Sequence, residues 1–258
     1  MWRGPLTREH LVDLGQGVSV CVMPAVFSQL AYSFDEISLA EIAYEMTGTY
    51  GIAPWEDDGA HARLEPLVDV AGLCGYATSA RLLGVRGARR ACAALDIVVA
   101  GSNSPRETDT AIFLSLGRGR GGLGAAGFKM NAPVALPDRL ASMVGQKTIV
   151  PDFSWPNGTV MEYDSDQEHQ SPATRARDER KRRAYRAEGM DCLTLTNGIL
   201  RSNHELNPFC EELEKSLGLR RTPASERMLV RRRELRQRLF GLETESAALL
   251  ELSREGEA

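Results

Sequence analysis

Asp152 closes one apolar run, and Glu162 and Asp164 close a second, with the tripeptide Pro156-Asn157-Gly158 between them. Pro presets φ, and Asn or Gly accepts the positive φ that a tight hairpin turn requires. Glu162 and Asp164 are two residues apart, so a strand puts both on one face. Paired as a hairpin, the two runs bring Asp152 and the acidic pair to one edge of a sheet. Three carboxylates gathered there repel one another unless a divalent cation neutralises them. An oxygen-only ligand set favours Mg2+ or Mn2+ over zinc.

Positioning these acids is the task of the middle of the chain. Ser104 and Pro105 open a helix, with Glu107 in its first turn, where the macrodipole favours an acid. Strands are expected at 130–136, 146–153 and 159–165, then a helix over 172–187 ended by Gly189, and a last strand over 190–196. The order from Ser104 is α-β-β-β-α-β. Residues 1–103 read as a separate helical domain: a weakly structured lead-in over 1–17, an apolar stretch over 18–34 that suits a short strand and a helix, then helices near 38–48, 60–73, 79–83 and 86–99, the first of these four opened by a Ser38/Glu41 capping box. Residues 201–258 read as a helical extension. Within it Met228, Leu229, Leu235, Leu239 and Leu242 form an apolar stripe that packs internally or leaves a homo-oligomer open. The glycine-rich stretch 118–127 matches neither a P-loop nor a dinucleotide fingerprint, so nucleotide binding is rejected and a flexible basic loop near DNA backbone is the remaining functional reading.

Charge is unevenly placed. Residues 175–239 carry 17 Lys or Arg against 10 Asp or Glu, whereas the remainder carries 14 against 25. A basic segment beside an acidic cluster suits a polyanionic partner near a metal site; taken alone, a solvated helical face is the simpler account. No apolar run reaches the length of a membrane span, and the N-terminus lacks the apolar core of a signal peptide. Cys21, Cys74, Cys92, Cys192 and Cys210 are scattered and odd in number, which argues against a zinc site or disulfide framework. They are expected to be mostly buried thiols in a reducing cytoplasm.

Taken together, the motifs resemble the PD-(D/E)XK nuclease superfamily, and within it the bacterial endonuclease-domain proteins related to very-short-patch-repair endonucleases. The resemblance rests on Asp152-Phe153-Ser154-Trp155-Pro156, Met161-Glu162-Tyr163-Asp164, His169, Asp178-Glu179-Arg180, Gly189 and Leu193-Thr194, with Ser104-Pro105-Arg106-Glu107 as the first-helix motif. It covers about residues 104–200. It implies an α/β (α+β) fold: a restriction-endonuclease-like αβββαβ core with a mixed central sheet, preceded by the helical domain.

What the resemblance implies for chemistry is phosphodiester hydrolysis of DNA, assisted by Mg2+ or Mn2+. Asp152 is then the main bridging ligand, Glu162 a second ligand, and Glu107 a ligand through water or to a second ion. His169 donates a proton or positions water. Arg180, Lys181, Arg182 and Arg183 are the expected phosphate contacts. The superfamily places a lysine two residues after the second acid, where this chain has Asp164; the closer branch commonly has an acid there. Lys181, Arg180 and Arg182 are candidates to supply the missing cation. The expected function is a metal-dependent DNA endonuclease in repair or defence. The alternative is a catalytically inactive nuclease-fold protein that binds DNA as a regulator or antitoxin, and a third reading is an interaction protein that pairs through its C-terminal helix.

Overall fold

A computed structural model describes residues 8–56, 59–62, 65–164, 172–220 and 223–241. The protein is a mixed α/β chain with helices predominating in its first part and a four-stranded mixed sheet in its later half. It divides into two compact units, residues 1–112 and 113–258.

The first unit opens with an antiparallel hairpin, β1 (Leu11–Gly15) and β2 (Val18–Cys21), followed by α1 (Met23–Leu30) and α2 (Glu36–Thr47). A second small ladder pairs β3 (Tyr50–Ile52) with β4 (Ala60–Ala62), and α3 (Val70–Leu82) and α4 (Ala88–Leu95) complete the packing. This part is therefore not all-helical, as its periodicity suggested. Both ladders are short pairings whose partners are set by contact across a turn or loop, which sequence periodicity does not report. At Gly51 the His61 ring lies over the backbone, 2.9 Å from where a Cβ would stand.

Caps decide the helix starts. Asp35, rather than Ser38, opens α2 by accepting from the Ile37 and Ser38 amides at 3.0 Å. Asp69 opens α3 by accepting from Gly72 N at 2.6 Å, so the expected helix over 60–73 begins well downstream and absorbs the one expected at 79–83. Each carboxylate satisfies amide donors that the helix itself leaves open.

Helix α5 (Pro105–Ser115) crosses the division between the units. The second unit continues through a 3-10 turn at Arg118–Arg120 to β5 (Lys129–Met130), β6 (Val134–Ala135), α6 (Asp138–Val144), β7 (Thr148–Ile149), β8 (Phe153–Ser154) and β9 (Thr159–Asp164). Helix α7 (Pro172–Ala187), β10 (Asp191–Thr196), α8 (Asn197–Arg201), α9 (Asn203–Ser216) and α10 (Glu226–Phe240) follow. The main sheet has the order β10-β9-β8-β5, with β9 and β10 parallel and the other pairs antiparallel. The two long strands expected over 130–136 and 146–153 are broken instead: β6 and β7 leave the main sheet to form their own hairpin, with α6 between them.

Two cores flank the main sheet. On one face Val160 packs with Leu136, Leu140, Ile149, Ala184 and Tyr185. On the other, Phe153 and Met161 are register partners, and Phe128 meets Phe153 and Trp155 edge-on at 5.3 and 5.5 Å. Each buried Val, Leu, Ile, Met or Phe among them contributes roughly 1.5–3 kcal/mol by leaving water.

The glycine-rich stretch is packed rather than loose. Gly121, Gly122 and Leu123 are buried, and a Cβ on Gly122 would fall 2.1 Å from Leu116 O. Gly121 has φ +95°, and α10 lies so close that a Cβ there would sit 2.4 Å from Arg231 O. Helix α10 buries Arg232, Leu235, Arg236, Leu239 and Phe240, ending at left-handed Gly241. The expected stripe is thus displaced: Leu229 is exposed, and two arginines take inward positions beside the leucines. Arg236 donates to Leu200 O and Asn203 Oδ1, tying α10 to α8 and α9.

Candidate functional site

The turn after β8 forms as its residues dictate. Trp155 N donates to Thr159 O at 2.9 Å, Asn157 Oδ1 accepts from Thr159 N at 3.1 Å, and Gly158 takes φ +89°. Trp155 is buried, and its indole N–H reaches Ala125 O at 2.9 Å, so it anchors the hairpin. Register then sets the acids. Phe153 pairs with Met161 and Ser154 with Val160; one further step places Asp152 beside Glu162. Strand alternation puts Asp152, Val160, Glu162 and Asp164 on the face covered by α7.

Asp152 Oδ2 accepts a 2.7 Å bond from the Tyr163 amide, which holds the carboxylate against β9. Glu162 receives two contacts on one oxygen. Lys181 Nζ lies 2.7 Å from Oε1, and the Tyr185 hydroxyl donates to the same atom. Lys181 and Tyr185 are four residues apart on α7 and so present together to the sheet. The Tyr185 phenol is pushed far up by burial, with the Glu162 carboxylate adding through charge and hydrogen bond; it stays a proton donor. Burial and Glu162 also push the Cys192 thiol up to about 11, against an opposing pull from Arg182, Lys181 and Arg186. Cys192 is a neutral packing group, not a nucleophile.

Asp164 ends β9 in register with Thr196, while Tyr163 OH donates to Asn197 Oδ1 at 2.6 Å. His169 lies outside the described residues. Glu107 belongs to the first unit and closes a capping box. Its amide donates to Ser104 Oγ, its Oε1 accepts from Ser104 Oγ at 3.2 Å, and its Oε2 accepts from Asn103 N at 3.0 Å. The basic run on α7 divides by helix face. Lys181 turns to Glu162, Arg182 is half-buried, and Arg180 and Arg183 are exposed, with Arg183 3.3 Å from Glu179.

Among the described residues, no group of three or more His, Cys, Asp or Glu side chains is placed to hold a metal ion. The acids instead gather as two neighbouring carboxylates with an ammonium and a phenol. The lysine and tyrosine partners of Glu162 have a sequence signal: Ala184-Tyr185 is an apolar pair inside a highly charged helix, so its face turns inward, and Lys181 shares that face. All five cysteines are free, and only Cys210 is fully buried, so most are half-exposed rather than core residues. Among the described residues no helix is long and apolar enough to cross a membrane. No known protein family, curated protein or solved structure matches the chain.

Proposed function

We propose that the protein is a metal-dependent DNA endonuclease whose site is built on Asp152, Glu162 and Lys181. The single observation that carries this reading is the 2.7 Å contact between Lys181 Nζ and Glu162 Oε1, next to Asp152 in the ladder. It assembles two acids and a lysine, with the cation delivered from α7 instead of from the strand position that Asp164 occupies. The sheet supports the same reading: three antiparallel-linked strands, then a helix and a parallel strand, follow the first helix, as the αβββαβ core requires.

Mg2+ needs only one or two carboxylates, since it keeps several waters and shares substrate phosphates. Asp152 and Glu162 meet that requirement. Glu162 presents a second oxygen that accepts no hydrogen bond from a described residue, because Lys181 and Tyr185 both use Oε1. When bound, the ion supplies Lewis acidity toward the phosphate and a more acidic water. The chain's own residues do the rest. The Tyr163 amide fixes the Asp152 carboxylate, Tyr185 orients Glu162, and the Lys181 ammonium offers positive charge where the phosphate gains negative charge in the transition state. Arg180 and Arg183, exposed on α7, are placed to meet backbone phosphates.

The test is incubation of purified protein with supercoiled plasmid in Mg2+, in Mn2+ and with EDTA. Nicking or cleavage that requires metal and is abolished by Asp152→Ala and by Glu162→Ala is the expected result. A second reading, a DNA-binding regulator without catalysis, is favoured by one feature: Glu162 is already neutralised by Lys181 and bonded by Tyr185. Salt-sensitive DNA binding that survives both substitutions, with no cleavage in any metal, selects that reading instead.

A further inference from the structure

The stretch 70–95 holds α3, α4 and the turn between them. It contains four arginines and no acid, whereas the rest of residues 1–112 carries four arginines and 14 acids. Arg81, Arg86, Arg89 and Arg90 are all exposed and fall at the corner where α3 gives way to α4. Between the first two sit Leu82 and Leu83, 80% and 69% exposed. Single exposed leucines are ordinary on a protein surface. Two in succession, both mostly in water and bracketed by arginines, are not a solvated helical face.

The corner is held in shape by the end of α1. Gly87, at φ +92°, lets the turn press against it, since a Cβ there would stand 2.5 Å from Ala31 O. Arg86 stacks over the Tyr32 ring at 4.5 Å, and Arg90 Nη1 donates to Phe34 O at 2.7 Å. Arg81 and Arg89 make no hydrogen bond or ion pair with a described residue.

Two kinds of surroundings are called for at once. The guanidinium groups favour anions, and salt screening makes the charge of the corner itself decide, not the acidic remainder of the unit. The leucines favour an apolar phase. A DNA duplex offers phosphates, but it accepts apolar wedges only where base steps are unstacked. A bilayer with anionic headgroups meets both needs together, with leucines at the acyl boundary and arginines among the phosphates.

We infer that the corner between α3 and α4 docks on an anionic phospholipid surface, Leu82 and Leu83 entering the interface and the arginines binding headgroup phosphates. Two leucines and four charges give reversible attachment, not an anchor. This surface shares no residue with the acidic site, and it stands whether or not the protein cleaves DNA.

The experiment sediments the full-length protein with vesicles of phosphatidylcholine mixed with phosphatidylglycerol, and with phosphatidylcholine alone, at low and at high salt. Binding to the anionic vesicles that weakens with salt, and none to the neutral ones, is expected. Replacing Arg81 and Arg89 together by Gln weakens it ~10-fold or more, as expected for two charges at an anionic surface. Replacing Leu82 and Leu83 together by Ser weakens it to a similar degree, ~10-fold or more. Both double variants replace exposed side chains and keep the parent Tm. Leu67→Ser and Arg233→Gln, at exposed positions elsewhere, keep the parent binding. Absence of binding to the anionic vesicles overturns the inference. So does binding that either double variant leaves unchanged. A short DNA duplex is the parallel probe: affinity for it that falls with the arginine pair but not with the leucine pair, without vesicle binding, replaces the lipid by nucleic acid.

Discussion

Lys181 Nζ lies 2.7 Å from Glu162 Oε1, and a single oxygen of Glu162 thereby joins the helix α7 to the central strand β9. A half-buried pair of this kind is weak evidence for stability, because desolvation offsets most of the attraction. Its value is positional. The ammonium is held against the Glu162 carboxylate whether or not the pair adds to the folding free energy.

Removing the ammonium should therefore separate rate from affinity. Lys181→Met is expected to lower plasmid cleavage ~100-fold or more, in the range of a lost charged transition-state group. DNA affinity should change little. Arg180→Met, exposed on the same helix, should do the reverse: unchanged single-turnover rate, and a salt dependence of binding shallower by about one phosphate contact. Equal effects of both substitutions on binding alone would remove Lys181 from the site.

The Tyr185 hydroxyl is buried and bonded to a carboxylate, an arrangement costly to break from one side. Tyr185→Phe should destabilise the second unit by ~1.5–3 kcal/mol, read as a lower urea midpoint with unchanged m-value. Cleavage should fall as well, because Glu162 loses one of the two contacts that orient it.

Asp109 introduces a pH dependence that no motif announced. Burial pushes its carboxyl up to about 8, with Arg106 at 3.5 Å opposing and Glu41 adding to the rise. The folded protein then holds a proton that an unfolded chain, titrating near 3.8, has released. Stability from this group is full below the unfolded value and is lost as pH rises through about 8. The slope reaches ~1.4 kcal/mol per pH unit between those limits. Asp109→Asn mimics the protonated acid, so its urea stability should stay level across the same window; an unaltered slope would exclude Asp109 as the source.

The glycine-rich stretch offers a sharp contrast between neighbours. Gly122→Ala forces a Cβ to within 2.1 Å of Leu116 O, where backbone must move, and should cost about 3 kcal/mol or more. Gly119→Ala meets nothing within 4 Å and should be close to neutral. Paired thermal melts of the two variants measure this directly.

Much of the acidic hairpin was legible in the sequence. Pro156-Asn157-Gly158 fixed the turn, the 3.6-residue pattern and Gly189 bounded α7, and alternating apolar residues marked β9 and β10. What escaped was set by partners distant in the chain. β5 to β8 are two-residue pairings whose existence depends on the ladder opposite, and α6 sits where only a connection was expected. Glu107 shows how one residue supports two readings: the Ser104/Glu107 spacing that resembles a first-helix motif is also a capping box, and the hydrogen bonds drawn there are those of the cap. The basic composition of 175–239 misled in another way. Arg232 and Arg236 count toward a charged surface in the sequence yet lie inside the fold.

Helix α10 closes over Gly121, and Phe240 at its end meets Phe113 edge-on at 6.3 Å. Nearly the whole second unit lies between those two rings in the chain. During synthesis the segment bearing Asp152 and Glu162 is therefore made well before the helix that seals its neighbouring core. The unit must wait, with part of its apolar surface uncovered, until residue 240 has cleared the ribosome. Growth speed and chaperone access during that interval become determinants of how much folded protein a cell obtains.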